Sequence, residues 1–105
     1  MPSIPAISLV QLPPGSMASW EHEELTILFC NDTGEIRAIE GLCPHARGPL
    51  AQGNFLDGLV ICPWHAWEFD TASGQCTHNP RAALAVYPIE VRDGIILVQI
   101  PESRA

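Results

Sequence analysis

The chain, 105 residues long, predicts an all-β fold. No apolar period of 3.6 residues holds over a dozen positions, whereas strand-forming runs recur at short spacing with Gly- and Pro-bearing turns between them. No internal repeat, low-complexity stretch or composition break divides the sequence, so residues 1–105 are expected to form one domain around one modest core.

Taken in order, residues 3–12 alternate loosely and predict an edge strand, with Pro5 tolerable near its start. Pro13-Pro14-Gly15-Ser16 is a turn. Residues 17–20 give a short strand and Glu21-His22-Glu23-Glu24 a polar connection. Residues 25–30 are rich in strand formers, Asn31-Asp32-Thr33-Gly34 signals a hairpin, and residues 35–40 alternate as the returning strand. Leu56-Asp57-Gly58-Leu59-Val60-Ile61 holds an Asp-Gly turn and an apolar strand, and residues 67–70 alternate before a turn at Thr71-Ala72-Ser73-Gly74. Residues 76–83, with Asn79-Pro80, read as irregular. A hairpin closes the chain, residues 84–91 and 95–100 about Arg92-Asp93-Gly94.

Composition narrows the function. With 47% apolar and 16% charged residues the chain is globular rather than disordered. No apolar run reaches bilayer length, and the N-terminus lacks a basic region followed by an apolar block, so a cytoplasmic protein with no membrane partner is expected. Twelve acids against five bases give a net charge of −7, which repels phosphate backbones, disfavours nucleic acid and suits encounter with a basic protein surface.

The chemistry concentrates in two short stretches, Cys43-Pro44-His45-Ala46-Arg47-Gly48-Pro49-Leu50 and Cys62-Pro63-Trp64-His65-Ala66-Trp67. Each offers one thiolate and one imidazole, spaced as Cys-x-His, sixteen residues, then Cys-x-x-His, and such a set reads as a metal site. A closed Cys2His2 zinc staple is one possibility, giving a non-redox interaction module, although structural zinc pairs are usually separated by two to four residues and Cys43 and His45 by only one. The other is a [2Fe–2S] centre with thiolates on one iron and imidazoles on the other. Prolines after both cysteines stiffen the loops.

Cys43-Pro44-His45 together with Cys62-Pro63-Trp64-His65-Ala66-Trp67-Glu68-Phe69-Asp70 resembles the cluster motif of Rieske [2Fe–2S] proteins. The chain is most similar to the Rieske-type ferredoxins that serve bacterial oxygenases and to the small subunit of assimilatory nitrite reductase. The resemblance implies a Rieske-like antiparallel β-sandwich base carrying a cluster-binding subdomain of two loops, at about 41–50 and 61–70. It implies one [2Fe–2S] cluster per chain on Cys43, His45, Cys62 and His65. It also implies a one-electron carrier, not itself an enzyme, between a reductase and a terminal oxygenase, or alternatively a partner of the nitrite reductase large subunit. High-potential members carry a disulfide between the loops and two hydroxyls after the second histidine. The matching positions here hold Gly48 and Trp64, then Trp67 and Phe69, so the low end of a window of about −150 to +300 mV is expected. Ala66 stands where the family usually has glycine, and would cost about 1 kcal/mol if φ there is positive.

The remaining candidates take plainer roles. His22 and His78 read as surface histidines near turns, Cys30 as a buried small hydrophobe, Trp20 and Phe29 as core, and Cys76 as a non-ligand. With Cys43, His45, Cys62 and His65 assigned, only His22 and His78 remain, and no catalytic domain is expected to hold them on the mononuclear iron an oxygenase would need. Trp64, between two ligands, either shields the cluster or forms a docking face with Pro44, Pro49 and Leu50, shielding being the preferred role.

Overall fold

The structure, a computed structural model, describes residues 3–44, 47–64, 66–77, 79 and 82–100. Its strands are β1 (Ser3–Ser8), β2 (Met17–His22), β3 (Leu25–Asp32), β4 (Glu35–Glu40), β5 (Asn54–Leu56), β6 (Leu59–Ile61), β7 (Glu68–Asp70), β8 (Val86–Tyr87), β9 (Ile89–Arg92) and β10 (Ile95–Gln99). They pair antiparallel in three sheets, β1-β10-β9, β2-β3-β4-β8 and β5-β6-β7. The all-β expectation stands.

β3 explains the layering. Its run Ile27-Leu28-Phe29-Cys30 is fully buried because both faces of its sheet are covered, which is why it reads as continuous apolar sequence rather than alternation. Ile27 and Phe29 join Ala38, Tyr87, Ile96 and Val98 in one cluster, between the four-stranded sheet and β1-β10-β9. Leu28, Cys30 and Ile39 point the other way, to Cys43, Leu50, Val60, Cys62 and Phe69. The single expected core is thus two, divided by the central sheet, and the second contains the cysteines of the motif.

Three hairpins turn on Thr33-Gly34, Asp57-Gly58 and Asp93-Gly94, with positive φ at both residues of each pair, the geometry that matches strand twist in a two-residue turn. The first is anchored by buried Asn31, whose Oδ1 accepts from the Gly34 N–H at 2.7 Å while Nδ2 donates to the Leu12 carbonyl at 2.8 Å.

Several readings differ from the sequence expectation. β1 ends at Ser8, where the Ser8 hydroxyl accepts from Val10 N and Gln11 Oε1 accepts from Ser8 N, turning residues 9–11 into a 3-10 turn. β2 runs on to His22, so the polar connection shrinks to Glu23-Glu24. Residues 84–91 are not one strand: Val86 and Tyr87 pair with β4, Ile89 pairs with β10, and the chain changes sheet at Pro88, which has no N–H to continue a ladder. Trp20 is only partly buried, packed at the margin of its core and stacked on His22 at 5.4 Å.

Candidate metal centre

The two motif stretches fold into loops of equal span on one backbone plan. Leu42 bridges Pro49 and Ile61 pairs with Glu68, so six residues, 43–48 and 62–67, lie between the paired positions in each case. In the first loop the Cys43 carbonyl accepts from Arg47 N at 2.6 Å, and Cys43 N donates to the Gly48 carbonyl at 2.9 Å. In the second the Cys62 carbonyl accepts from Ala66 N at 3.0 Å, and Cys62 N donates to the Trp67 carbonyl at 2.8 Å. Each cysteine therefore binds the residues four and five positions ahead through its own peptide groups. The turn closes in the left-handed region both times, with φ 58° at Arg47 and 58° at Ala66. Ala66 does occupy the positive-φ site that makes glycine the easier residue there.

Cys43 and Cys62, each 1% exposed, enter the same buried cluster from equivalent loop positions, with Leu50, Val60 and Phe69 around them. Gly48 links the loops: besides its bond to Cys43, a methyl on it would stand 3.0 Å from Cys62 Sγ and 3.1 and 3.3 Å from Cδ2 and Cε3 of Trp64. His45 and His65, the two imidazole candidates, lie outside the described residues, as does His78. The donor set that the described residues supply, two buried thiols at matched positions of paired loops and in one buried cluster, fits a thiolate-ligated metal group.

Two indole atoms of Trp64, Cδ2 and Cε3, lie beside Gly48, yet the residue is 55% exposed. Leu50 is fully buried and belongs to the core, not to a surface group with Pro44 and Trp64. Trp67 and Phe69, at the two positions lacking hydroxyls, pack with ring centroids 6.4 Å apart, Phe69 fully buried. Cys76 is buried in the same cluster, opposite Phe69 in an isolated bridge. Cys30 lies on β3, where burial pushes its thiol up to about 12.

The sequence did not reveal how the loop-bearing sheet is held to the base. Arg37 on β4 donates through Nη1 to Asp32 Oδ2 at 3.0 Å and to Thr71 Oγ1 at 3.1 Å, and through Nη2 to Glu35 at 3.1 Å. Thr71, fully buried at the end of β7, donates its hydroxyl to the Gly58 carbonyl at 2.7 Å. One guanidinium thus joins the β3–β4 hairpin to the strands that carry the second loop. The only hint in the sequence is a lone arginine on an otherwise acid-flanked, alternating strand. Gly53 is a second such residue: a methyl there would fall 1.9 Å from the Ile61 carbonyl oxygen, so only glycine lets the chain pass the base of the second loop.

Residues 3–88 match the Rieske [2Fe-2S] domain family. Among curated relatives, the chain is 36% identical over 80 residues to the 4beta-methylsterol monooxygenase of Methylococcus capsulatus, covering 66% of this chain and 21% of that protein. It is 31% identical over 85 residues to the ferredoxin component of the alkene monooxygenase system of Xanthobacter autotrophicus, covering 80% of this chain and 70% of the relative. The chain thus spans about a fifth of the first relative and most of the second. Of solved structures, the ferredoxin of carbazole 1,9a-dioxygenase from Nocardioides aromaticivorans superposes with a TM-score of 0.85 at 27% identity, over 93% of this chain and 97% of that one. A protein from Mycobacterium tuberculosis described as an NADH-dependent nitrite reductase small subunit, at 22% identity and TM-score 0.84 over 95% and 96% of the two chains, shares the fold.

Proposed function

The chain belongs to the Rieske [2Fe-2S] domain family, whose cofactor is one [2Fe–2S] cluster per chain, and on that premise we propose that it is a low-potential one-electron carrier, handing electrons from a reductase to a terminal oxygenase. In this reading residues 1–105 work as one domain, with the loops at about 41–50 and 61–70 as the cluster-binding part. Cys43 and Cys62 hold one iron, and His45 and His65 the other. The observation that carries the assignment is the shared backbone plan of the two loops, which presents two buried cysteines from equivalent positions. It favours the iron–sulfur assignment over a zinc-stapled module, as does family membership.

When bound, the cluster supplies a reversible one-electron couple and no bond-making chemistry on a substrate. The chain's own residues govern how easily the added charge is accommodated. Gly48, Trp64, Trp67 and Phe69 offer no hydroxyl and no loop disulfide, and Leu50, Val60 and Phe69 keep water from the sulfurs, so little stabilises extra negative charge. That supports a midpoint at the low end of the family's window of about −150 to +300 mV.

A carrier rather than a catalyst is supported by the likeness to two proteins described as ferredoxins of oxygenase systems. The net charge of −7 favours a basic docking partner and disfavours nucleic acid. Among the described residues no helix is long and apolar enough to cross a membrane. Thiolate ligands suit a reducing compartment, which is the support for a cytoplasmic location. The alternative acceptor, a nitrite reductase large subunit, rests on shared fold alone.

EPR with a redox titration on anaerobically purified protein tests the reading. A Rieske-type signal on reduction and a midpoint below zero are expected. A colourless, zinc-loaded protein overturns the cluster assignment, and a midpoint well above zero overturns the low-potential one. Electron delivery to purified oxygenase and to purified nitrite reductase then decides the acceptor.

A further inference from the structure

Each loop is closed by hydrogen bonds to its own cysteine, so those bonds fix the shape of a loop without fixing one loop against the other. Among the described residues, one contact that crosses between them is at Gly48. Its α-carbon is buried, and the space a side chain would fill is bounded on one side by Cys62 Sγ and on the other by the benzenoid edge of Trp64. The indole therefore rests on the first loop while its backbone, following Pro63, belongs to the second. Just over half of the residue stays in solvent, and its covered part adjoins the same Gly48 as the buried Cys62 thiol.

We propose that Trp64 is a positioning residue: seated on Gly48, its indole clamps the second loop to the first and keeps Cys62 Sγ in place and screened from water. Gly48 is the other half of the device, because a methyl there would stand 3.0 Å from the sulfur and 3.1 Å from the ring, a fit so tight that one of them must give way slightly. The pairing explains why a large aromatic residue sits largely exposed beside a bare glycine.

The proposal rests on the site assignment above, and its test is built to fail separately. Wild type, Trp64→Phe, Trp64→Ala and Gly48→Ala are purified anaerobically and challenged with a chelator. Metal release per chain is followed colorimetrically, with midpoint potentials and metal-free thermal melts measured in parallel. Trp64→Ala is expected to lose metal at least tenfold faster than wild type and to shift the midpoint upward as water reaches the sulfur. Trp64→Phe stays within about twofold. Gly48→Ala reproduces the Trp64→Ala defect although the indole is intact, while the metal-free melts stay close together. Equal release from wild type and Trp64→Ala overturns the clamp, as does equal impairment of the Phe and Ala variants. A defect seen only in electron delivery to a partner, with release and midpoint unchanged, assigns Trp64 to docking and also overturns it. If wild type carries zinc, the cluster reading fails, yet the release ratios still decide the clamp.

Discussion

Replacing Ala66 by glycine is expected to stabilise the protein. At φ 58° the Ala66 Cβ crowds the following carbonyl, a strain of about 1–2 kcal/mol for a non-glycine residue. The side chain is exposed, so deleting its methyl forfeits almost no packing. The N–H that binds the Cys62 carbonyl at 3.0 Å is retained. Against the gain stands the greater freedom that glycine gives the unfolded chain, about 0.5–1 kcal/mol. Taken at the middle of both ranges, the balance is about 0.8 kcal/mol in favour of glycine. For a domain of this size that raises Tm by about 2–8 °C. Differential scanning calorimetry on loaded and metal-free protein reads the shift. Ala66→Val is the counter-test: a β-branched side chain in the left-handed region should lower Tm by more than glycine raises it. An unchanged or lowered Tm for Ala66→Gly, with Ala66→Val melting like wild type, would refute the left-handed assignment and the strain argued from it.

Three further outcomes are expected. Thr71→Val removes a buried hydroxyl that Arg37 and the Gly58 carbonyl both use. The loss is about 1–3 kcal/mol in urea unfolding, with Thr71→Ser restoring most of it; a valine variant as stable as wild type would show the stitch to be idle. Because burial raises the Cys30 thiol to about 12, the folded state holds that proton more tightly than the unfolded chain does, where it titrates near about 8.5. This contribution is whole below about pH 8.5 and fades as pH rises toward 12, at about 1.4 kcal/mol per pH unit. Cys30→Ala should flatten the alkaline limb of the stability curve, and a limb as steep as that of wild type would count against the buried thiol as its cause. Finally, electron transfer from a basic partner should slow as ionic strength climbs from about 10 mM to 150 mM, since the chain carries −7; a flat salt profile excludes steering.

How much was legible varied with the kind of signal. Turns with a φ requirement were plain: Thr33-Gly34 and Asp93-Gly94 announced hairpins and Asp57-Gly58 a turn, because few residue pairs tolerate positive φ twice in succession, although the strand before Asp57 was not foreseen. The cysteine positions were equally visible, since thiolate and imidazole at those intervals have few other uses. Partition between sheets was hidden. Residues 84–91 look like one strand by composition, and only the missing N–H at Pro88 marks the change of partner. Residues 9–11 keep an apolar pattern but are captured by local Ser8 and Gln11 bonds. The Arg37–Thr71 link was out of reach, for it joins residues thirty-four positions apart whose meeting depends on how two hairpins stack. The same holds for Gly48 and Gly53, whose small size is dictated by neighbours that only the fold brings close.

The equal span of the two loops restricts how this sequence can drift. Both are measured twice, once by the flanking pairs Leu42–Pro49 and Ile61–Glu68 and once by the bonds each cysteine makes four and five residues ahead. Inserting or deleting a residue in either loop would break both counts together, so length there is a fixed ruler, unlike that of an ordinary surface loop. Retuning must proceed by exchange of side chains at constant length. The offset of the histidine from its cysteine, two residues in one loop and three in the other, is therefore a choice of tooth on the same gauge.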